Sequence, residues 1–252
     1  MAEEGVHVLA DQAEIGAALG ALVAAKAQEA IGDRGVFTIA VSGGSTTKIF
    51  CHEMAKRADV GWDKWRVFMA DERLVPLDQE DCNYKGYKDA LVGTVPLAAE
   101  HIYPINPSLS VEAAAEDYTQ KLKQVRAGFS LLDAMDNEDT PVFDVVLLGM
   151  GPDGHTASLF PGHKLLQEKT LLVAPISDSP KPPPNRVTLT FKVLNRAHCA
   201  IFVCTGEGKA ANVKNVLEGN EENPLPAALV QPLDGELHWY LDTAAASQLS
   251  AQ

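Results

Sequence analysis

The sequence predicts an α/β protein with a mostly parallel sheet covered by helices on both faces. Two observations carry that expectation. The runs VFTIAVS, from Val36, and VFDVVLLG, from Val142, are nearly all apolar, as strands buried on both sides are. Segments of helical spacing separate these runs, and parallel strands need such crossover connections. There is no internal repeat and no dividing linker, so residues 1–252 are expected to form one domain.

In chain order, an amphipathic helix is expected over residues 11–30, with Ile15, Leu19, Leu22 and Val23 on one face. VFTIAVS follows, then a glycine turn leading into the helix of SGGSTTKIFCHEMAKRA. WRVFMADERLVP reads as a short strand ending in charges, and a helix over 111–125 precedes VFDVVLLG. TLLVAPIS, RVTLTF and CAIFVCTG are strand-like, GKAANVKNVLEG is helical, and LHWYLD and TAAASQLS end the chain. SDSPKPPPN, residues 177–185, carries four prolines, which exclude a helix or a central strand. It is either a rigid surface loop or one wall of a site.

Composition excludes several classes. The net charge of −13 argues against a nucleic-acid partner, which would need a basic face. A small anion is still allowed, held by a few local cations and backbone N–H groups. No apolar run reaches the roughly 18–20 residues of a membrane helix. MAEEGVHVLADQAEIG lacks the basic-then-apolar pattern of a leader. Cys51, Cys82, Cys199 and Cys204 form no CxxC, which points to reduced thiols in a cytoplasmic protein.

In open α/β sheets, ligands sit outside the carboxyl ends of the strands. Three unusual segments fall there. In AVSGGSTTKIF, Gly43 and Gly44 allow a tight turn, and Ser45 or Thr46 can cap the following helix. Free N–H groups and the helix dipole suit a phosphate. The Walker spacing is absent, and a plain strand-to-helix turn is the alternative. In MADERLVP, Asp71, Glu72 and Arg73 follow directly on an apolar strand. They form either a solvated strand end with an internal ion pair, or a pocket wall in which Asp71 or Arg73 meets a ligand.

The third segment, GMGPDGHTASLFPG, contains G-x-G-x-x-G after a strand. A dinucleotide loop needs a full helix next, yet Pro161 and Gly162 would stop one within about two turns. Asp178 lies about the right distance on to meet a ribose, but inside the proline-rich loop. His155 is the better focus. Histidine exchanges protons near neutral pH, and Asp153 could orient the ring. A metal site from His155 and His163 lacks a third ligand, so no metal is expected. Ser158 sits in no G-x-S-x-G elbow. Arg186, after the proline loop, and Lys209, at a helix start where it opposes the dipole, are either ligand-binding or solvated cations.

VSGGST, DERLVP with Asn83 and Tyr84 after it, FDVVLLGMGPDGHTASLFPGH, PISDSPKPPPNRVTLT, TGEGKA and NPLPAALVQP span nearly the whole chain in that order. Together they resemble the 6-phosphogluconolactonase family. GxGxDGHTASLFP and P-x-R-x-T are the specific segments. The resemblance implies a modified Rossmann-like, three-layer α/β/α sandwich, shared with glucosamine-6-phosphate deaminases and ribose-5-phosphate isomerases. It implies hydrolysis of 6-phospho-D-glucono-1,5-lactone, a small sugar phosphate, in the oxidative pentose phosphate pathway, without a cofactor. The chain is expected to act as a monomer. His155 resembles the general base, Asp153 the acidic residue beside it, and Arg73 the active-site arginine. Gly43, Gly44, Ser45, Thr46, Arg186 and Lys209 match phosphate-binding positions. The deaminases carry an acidic residue shortly after the GH step, where this chain has TASLFPG. That difference favours the lactonase over a deaminase or isomerase using Asp71 as a proton shuttle. A non-catalytic sugar-phosphate sensor would be expected to carry a partner domain, for which 252 residues leave no room.

Overall fold

The structure is a computed structural model and describes residues 3–127, 140–219 and 222–250. In order the elements are β1 Glu3–Leu9, α1 Gln12–Arg34, β2 Phe37–Val41, α2 Ser45–Met54, β3 Trp65–Met69, β4 Asp71–Arg73, α3 Asn83–Leu91 and β5 Ile102–Tyr103. They continue with α4 Val111–Ala127, β6 Val145–Gly149, β7 Val173–Ile176, β8 Arg186–Leu189, α5 Phe191–Leu194, β9 Cys199–Cys204, α6 Ala210–Glu218 and β10 Glu236–Asp242.

The helices begin and end for local reasons. Asp11 caps α1, its Oδ1 accepting from the Ala13 and Glu14 amides at 2.8 and 3.0 Å. Gly35 ends the helix in the left-handed region, with φ 74°, four residues beyond the expected boundary. Ile15, Leu19 and Val23 are fully buried as expected, whereas Leu22 sits at the edge of the core.

Seven strands form an all-parallel sheet in the order β1-β10-β9-β6-β2-β3-β5. β2, β3, β6 and β9 are buried along nearly their whole length, which explains their unbroken apolar runs. Aromatic pairs consolidate the core, with Phe202 stacked on Trp239 at 4.0 Å and Phe37 edge-on to Trp65 at 4.6 Å. Truncating such a side chain to alanine costs about 3–5 kcal/mol.

Two parts of the architecture depart from the sequence pattern. β7 and β8 lie outside the main sheet, where β8 pairs antiparallel with both β7 and β4, in the order β4-β8-β7. The proline loop joining them contains no crossover helix, so a parallel pairing is closed to them. β1 and α3 are not anticipated at all. β1 is an edge strand with polar residues and exposed valines, so its apolar signal is weak.

From β2 the chain moves outward through β3 to β5, then returns to β6 and builds the other half through β9 and β10. The winding therefore reverses between β2 and β6. Ladder pairing sets Val41 beside Leu147, so the loops after the two strands open a crevice at their carboxyl ends.

Candidate active site

Gly44, with φ 80°, turns the chain from β2 into α2. No side chain caps α2, so its first amides have no side-chain acceptor. Gly43 is required for a different reason. A Cβ there would lie 1.9 Å from Asn83 Oδ1, and Asn83 Nδ2 donates to the Asp71 carbonyl at 2.8 Å. Asn83, at the start of α3, thus packs the turn before α2 closely against the start of β4.

The charges of DER are not solvated. Asp71 is 5% exposed and Glu72 1%. Glu72 accepts from the amides of Arg73, Asn83 and Tyr84, each at 2.8 Å, and so caps α3 from outside. Burial nevertheless pushes its carboxyl up to about 7, against those three donors. Asp71 Oδ2 accepts from Ser158 Oγ at 2.7 Å. Arg73 donates through NH1 to the Asp81 carbonyl at 2.8 Å, while its buried Nε has no partner among the described residues.

After β6 comes a turn and not a helix. The Gly151 amide donates to the His155 carbonyl and Thr156 pairs with Leu159. The glycines of GMGPDG serve the histidine. A Cβ on Gly151 would stand 2.1 Å from His155 Nδ1 and 2.7 Å from Asp153 Oδ1. His155 Nδ1 and Asp153 Oδ1 are 2.5 Å apart. Although burial works to raise it, the Asp153 carboxyl is held at about 2 by His155 and Lys181. An ionised carboxylate only accepts, so Nδ1 carries the proton and Nε2 keeps a free lone pair. Burial lowers the His155 pKa below its ordinary 6.5, with Asp153 opposing. Phe160 packs on the ring at 4.7 Å, and the adjacent Ala157 holds a positive φ of 47°.

The proline loop folds over this pair. Arg186, 3% exposed, is not a solvated cation. It donates to the carbonyls of Lys181, Pro182 and Pro183 at 3.0–3.1 Å, and more weakly to Ser158 Oγ. Lys209 ends a 3₁₀ turn at the start of α6, and its ammonium has no hydrogen-bonded or ion-paired partner among the described residues. All these segments meet in one cavity of about 200 Å³. It is lined by Ser42 to Thr46, Asp71, Arg73, residues 149–152, His155, Ala157, Arg186 and Lys209.

Residues 10–239 match the sequence family described as glucosamine-6-phosphate isomerases/6-phosphogluconolactonase. The chain belongs to that family. Among its relatives, human 6-phosphogluconolactonase is 49% identical over 97% of this chain and 93% of its own. The structure of 6-phosphogluconolactonase from Trypanosoma brucei superposes with TM-score 0.82 at 29% identity, over 99% of this chain and 100% of the other. A monomeric glucosamine-6-phosphate deaminase superposes with TM-score 0.75, over 96% of this chain and 99% of the other; at 17% identity it shows the shared fold alone.

Every site residue singled out in the sequence lies at this cavity or, for Asp153, against His155. Three others were not anticipated. Ser158 was considered only as a nucleophile, and instead bridges Asp71 and Arg186. Glu72 sets α3. Lys181, in the proline loop, reaches Asp153 at 2.9 Å. Its signal was its place two prolines from P-x-R-x-T, legible once that loop is taken as a wall. Asp178, the residue a ribose would need, is 59% exposed at its side chain and bonded to His163.

Proposed function

We infer that the chain hydrolyses 6-phospho-D-glucono-1,5-lactone to 6-phospho-D-gluconate, the lactonase step of the oxidative pentose phosphate pathway. One observation carries the reading for the site. One small cavity at the winding reversal joins an open helix N-terminus and a lysine unpaired among the described residues to a histidine with a free Nε2. The first two suit a phosphate and the third suits a water molecule. The relatives at up to 49% identity carry the name of this activity.

The chemistry follows from those groups. A lactone is an activated ester, so water attacks C1 without a protein nucleophile. His155 Nε2 takes the water proton, and Asp153 steadies the imidazolium that forms. Charge develops on the carbonyl oxygen, where the Arg73 guanidinium and nearby backbone amides lining the cavity offer donors. The C1–O5 bond then breaks as the carbonyl re-forms, the ring opens, and the proton held by His155 passes to O5, which restores the neutral imidazole. The amides of Ser45 and Thr46, together with Lys209, hold the phosphate and so align the lactone. Arg186 contributes chiefly by fixing the loop, and Asp71 by holding Ser158. None of these roles calls for a metal. Among the described residues, the one cluster of His, Cys and carboxylate with metal-ligand spacing is Cys199, Glu236 and His238, away from the cavity.

We further propose that residues 1–252 act as one monomeric domain in the cytoplasm, without a nucleic-acid partner. Support comes from β1 and β10 closing one sheet from both chain ends, from four free buried thiols and from the net charge of −13. No described helix is long and apolar enough to cross a membrane. The deciding experiment is lactone hydrolysis followed in real time with the spontaneous rate subtracted. Turnover above that rate is expected. Ammonia release from glucosamine 6-phosphate, without lactone turnover, would replace this reading with a deaminase.

A further inference from the structure

Lys181 has no part in the hydrolysis described so far, yet the loop around it is built to hold it in place. The carbonyl of Lys181 accepts from Arg186 NH2 at 3.0 Å and from Ser179 Oγ at 2.8 Å. Its amide donates back to Ser179 Oγ at 3.3 Å. The Ser179 amide in turn reaches the Pro184 carbonyl, closing the loop on itself. A buried guanidinium therefore anchors the backbone of a residue whose side chain is about one-third exposed. Solvent-facing lysines need no such anchoring, because ordering a long side chain costs up to about 2 kcal/mol of rotamer entropy.

The ammonium ends in a triangle with the catalytic pair. Lys181 Nζ lies 2.9 Å from Asp153 Oδ1 and 3.3 Å from His155 Nδ1. One carboxylate oxygen thus serves two cationic or potentially cationic donors. Nδ1 carries a proton and Nζ is donor-only, so no hydrogen bond joins them, and their contact turns repulsive once His155 is protonated at Nε2. Of the other charged groups, Asp71 favours imidazolium, and Arg73, Arg186 and Lys209 line the same cavity.

We propose that Lys181 is a positioning residue for the hydrolysis, fixing Asp153 beside His155 Nδ1 and keeping the imidazole neutral so that Nε2 is free to accept the proton of water. This rests on His155 being the general base. Without Lys181, Asp153 would be left to its single strong bond with His155 and would hold a second proton on the ring more firmly. The lysine therefore extends activity toward lower pH.

Lys181→Met tests this, because it keeps the aliphatic stem and leaves the backbone clamp of Arg186 intact. The His155 ring titration is followed by NMR in the wild type and the variant, with His155→Asn assigning the signal. We expect the midpoint to rise by about 1 pH unit, the lower end of the effect of a charge at this range. The acid limb of kcat/KM should move up by the same amount, and Lys181→Arg should restore most of it. An unchanged His155 titration in Lys181→Met overturns the proposal. So does a loss confined to KM, which would make Lys181 a substrate contact. If the wild type fails to hydrolyse the lactone, the functional reading falls, while the titration still decides the role of Lys181.

Discussion

The two ends of the parallel sheet carry clefts of opposite character. At the amino end, a cleft of about 550 Å³ is lined by Lys26, Arg34, Asp144, His198 and Glu236. It is the roomier of the two, and its central charges are satisfied. Lys26 donates to Glu236 at 2.7 Å, and Arg34 is paired with Asp144, which also accepts from the Thr38 amide and hydroxyl. Even the Cys199–Glu236–His238 group is satisfied internally, since His238 Nε2 lies 3.1 Å from Glu236 and burial pushes the Cys199 thiol up to about 12. At the carboxyl end the cavity is smaller, and its groups are left open. Among the described residues Lys209, which lines the cavity, has no hydrogen-bonded or ion-paired partner, and α2 begins without a side-chain cap. Volume does not mark the site here. An unpaired ammonium and an uncapped helix N-terminus at one cavity do, because such groups gain charge-assisted hydrogen bonds from an anionic ligand.

That contrast can be broken most forcefully at His155. His155→Ala should lower kcat by about 10²–10⁴-fold, the usual worth of general base catalysis, with KM little changed. Stopped-flow or real-time hydrolysis would check it, and a variant retaining a third of the wild-type kcat would end the assignment. The wild-type profile adds a sign. Activity should fall as pH drops through a midpoint below 6.5, because burial lowers the His155 pKa and protonated Nε2 cannot accept.

At the other end, Asp144→Ala should destabilise the fold by about 1.5–3 kcal/mol, the range for hydrogen bonds to a charged group, and leave kcat unchanged. Chemical denaturation beside activity measurement separates the two effects. A matching loss in kcat would show the two ends to be coupled.

Lys209→Ala should raise KM for the phosphorylated lactone by roughly 10–100-fold, corresponding to loss of a charge-assisted contact, and barely alter turnover of unphosphorylated gluconolactone. Equal losses on both substrates would remove Lys209 from phosphate recognition. Arg186→Ala is a poorer probe of the phosphate, since it also releases the loop that carries Lys181.

The smallest effect belongs to Asp178→Asn. Its exposed side chain predicts a stability change within about 0.5 kcal/mol and no change in lactone turnover. Thermal shift with NAD, 6-phosphogluconate and inorganic phosphate extends the test. 6-Phosphogluconate should stabilise the protein more than phosphate does, and NAD should have no specific effect. Tight NAD binding lost in Asp178→Asn would revive a dinucleotide loop.

Much of this protein is determined locally and can be read from sequence. The buried runs of β2 and β6, the start of α1 at Asp11, and the absence of a helix after GMGPDG follow from hydrophobic pattern, capping and proline placement, whereas the end of α1 at Gly35 lies beyond the expected residue 30. So does the placing of His155 and Asp153 together, because only one residue separates them. Other features depend on distant partners. Burial of Asp71 and Glu72 requires Ser158 and the amides of α3, so a DER run at a strand end resembles solvated charge until the tertiary contacts exist. The departure of β7 and β8 from the main sheet depends on which strand each can pair with, and a strand-like run does not encode its partner. Lys181 is the clearest case. Its approach to Asp153 is set by Arg186 gripping three carbonyls of the proline loop, and that loop reaches a turn 28 residues away only in the folded chain. Whether a cation is free or engaged, as Lys209 and Arg186 are in turn, is likewise a property of packing and not of residue type.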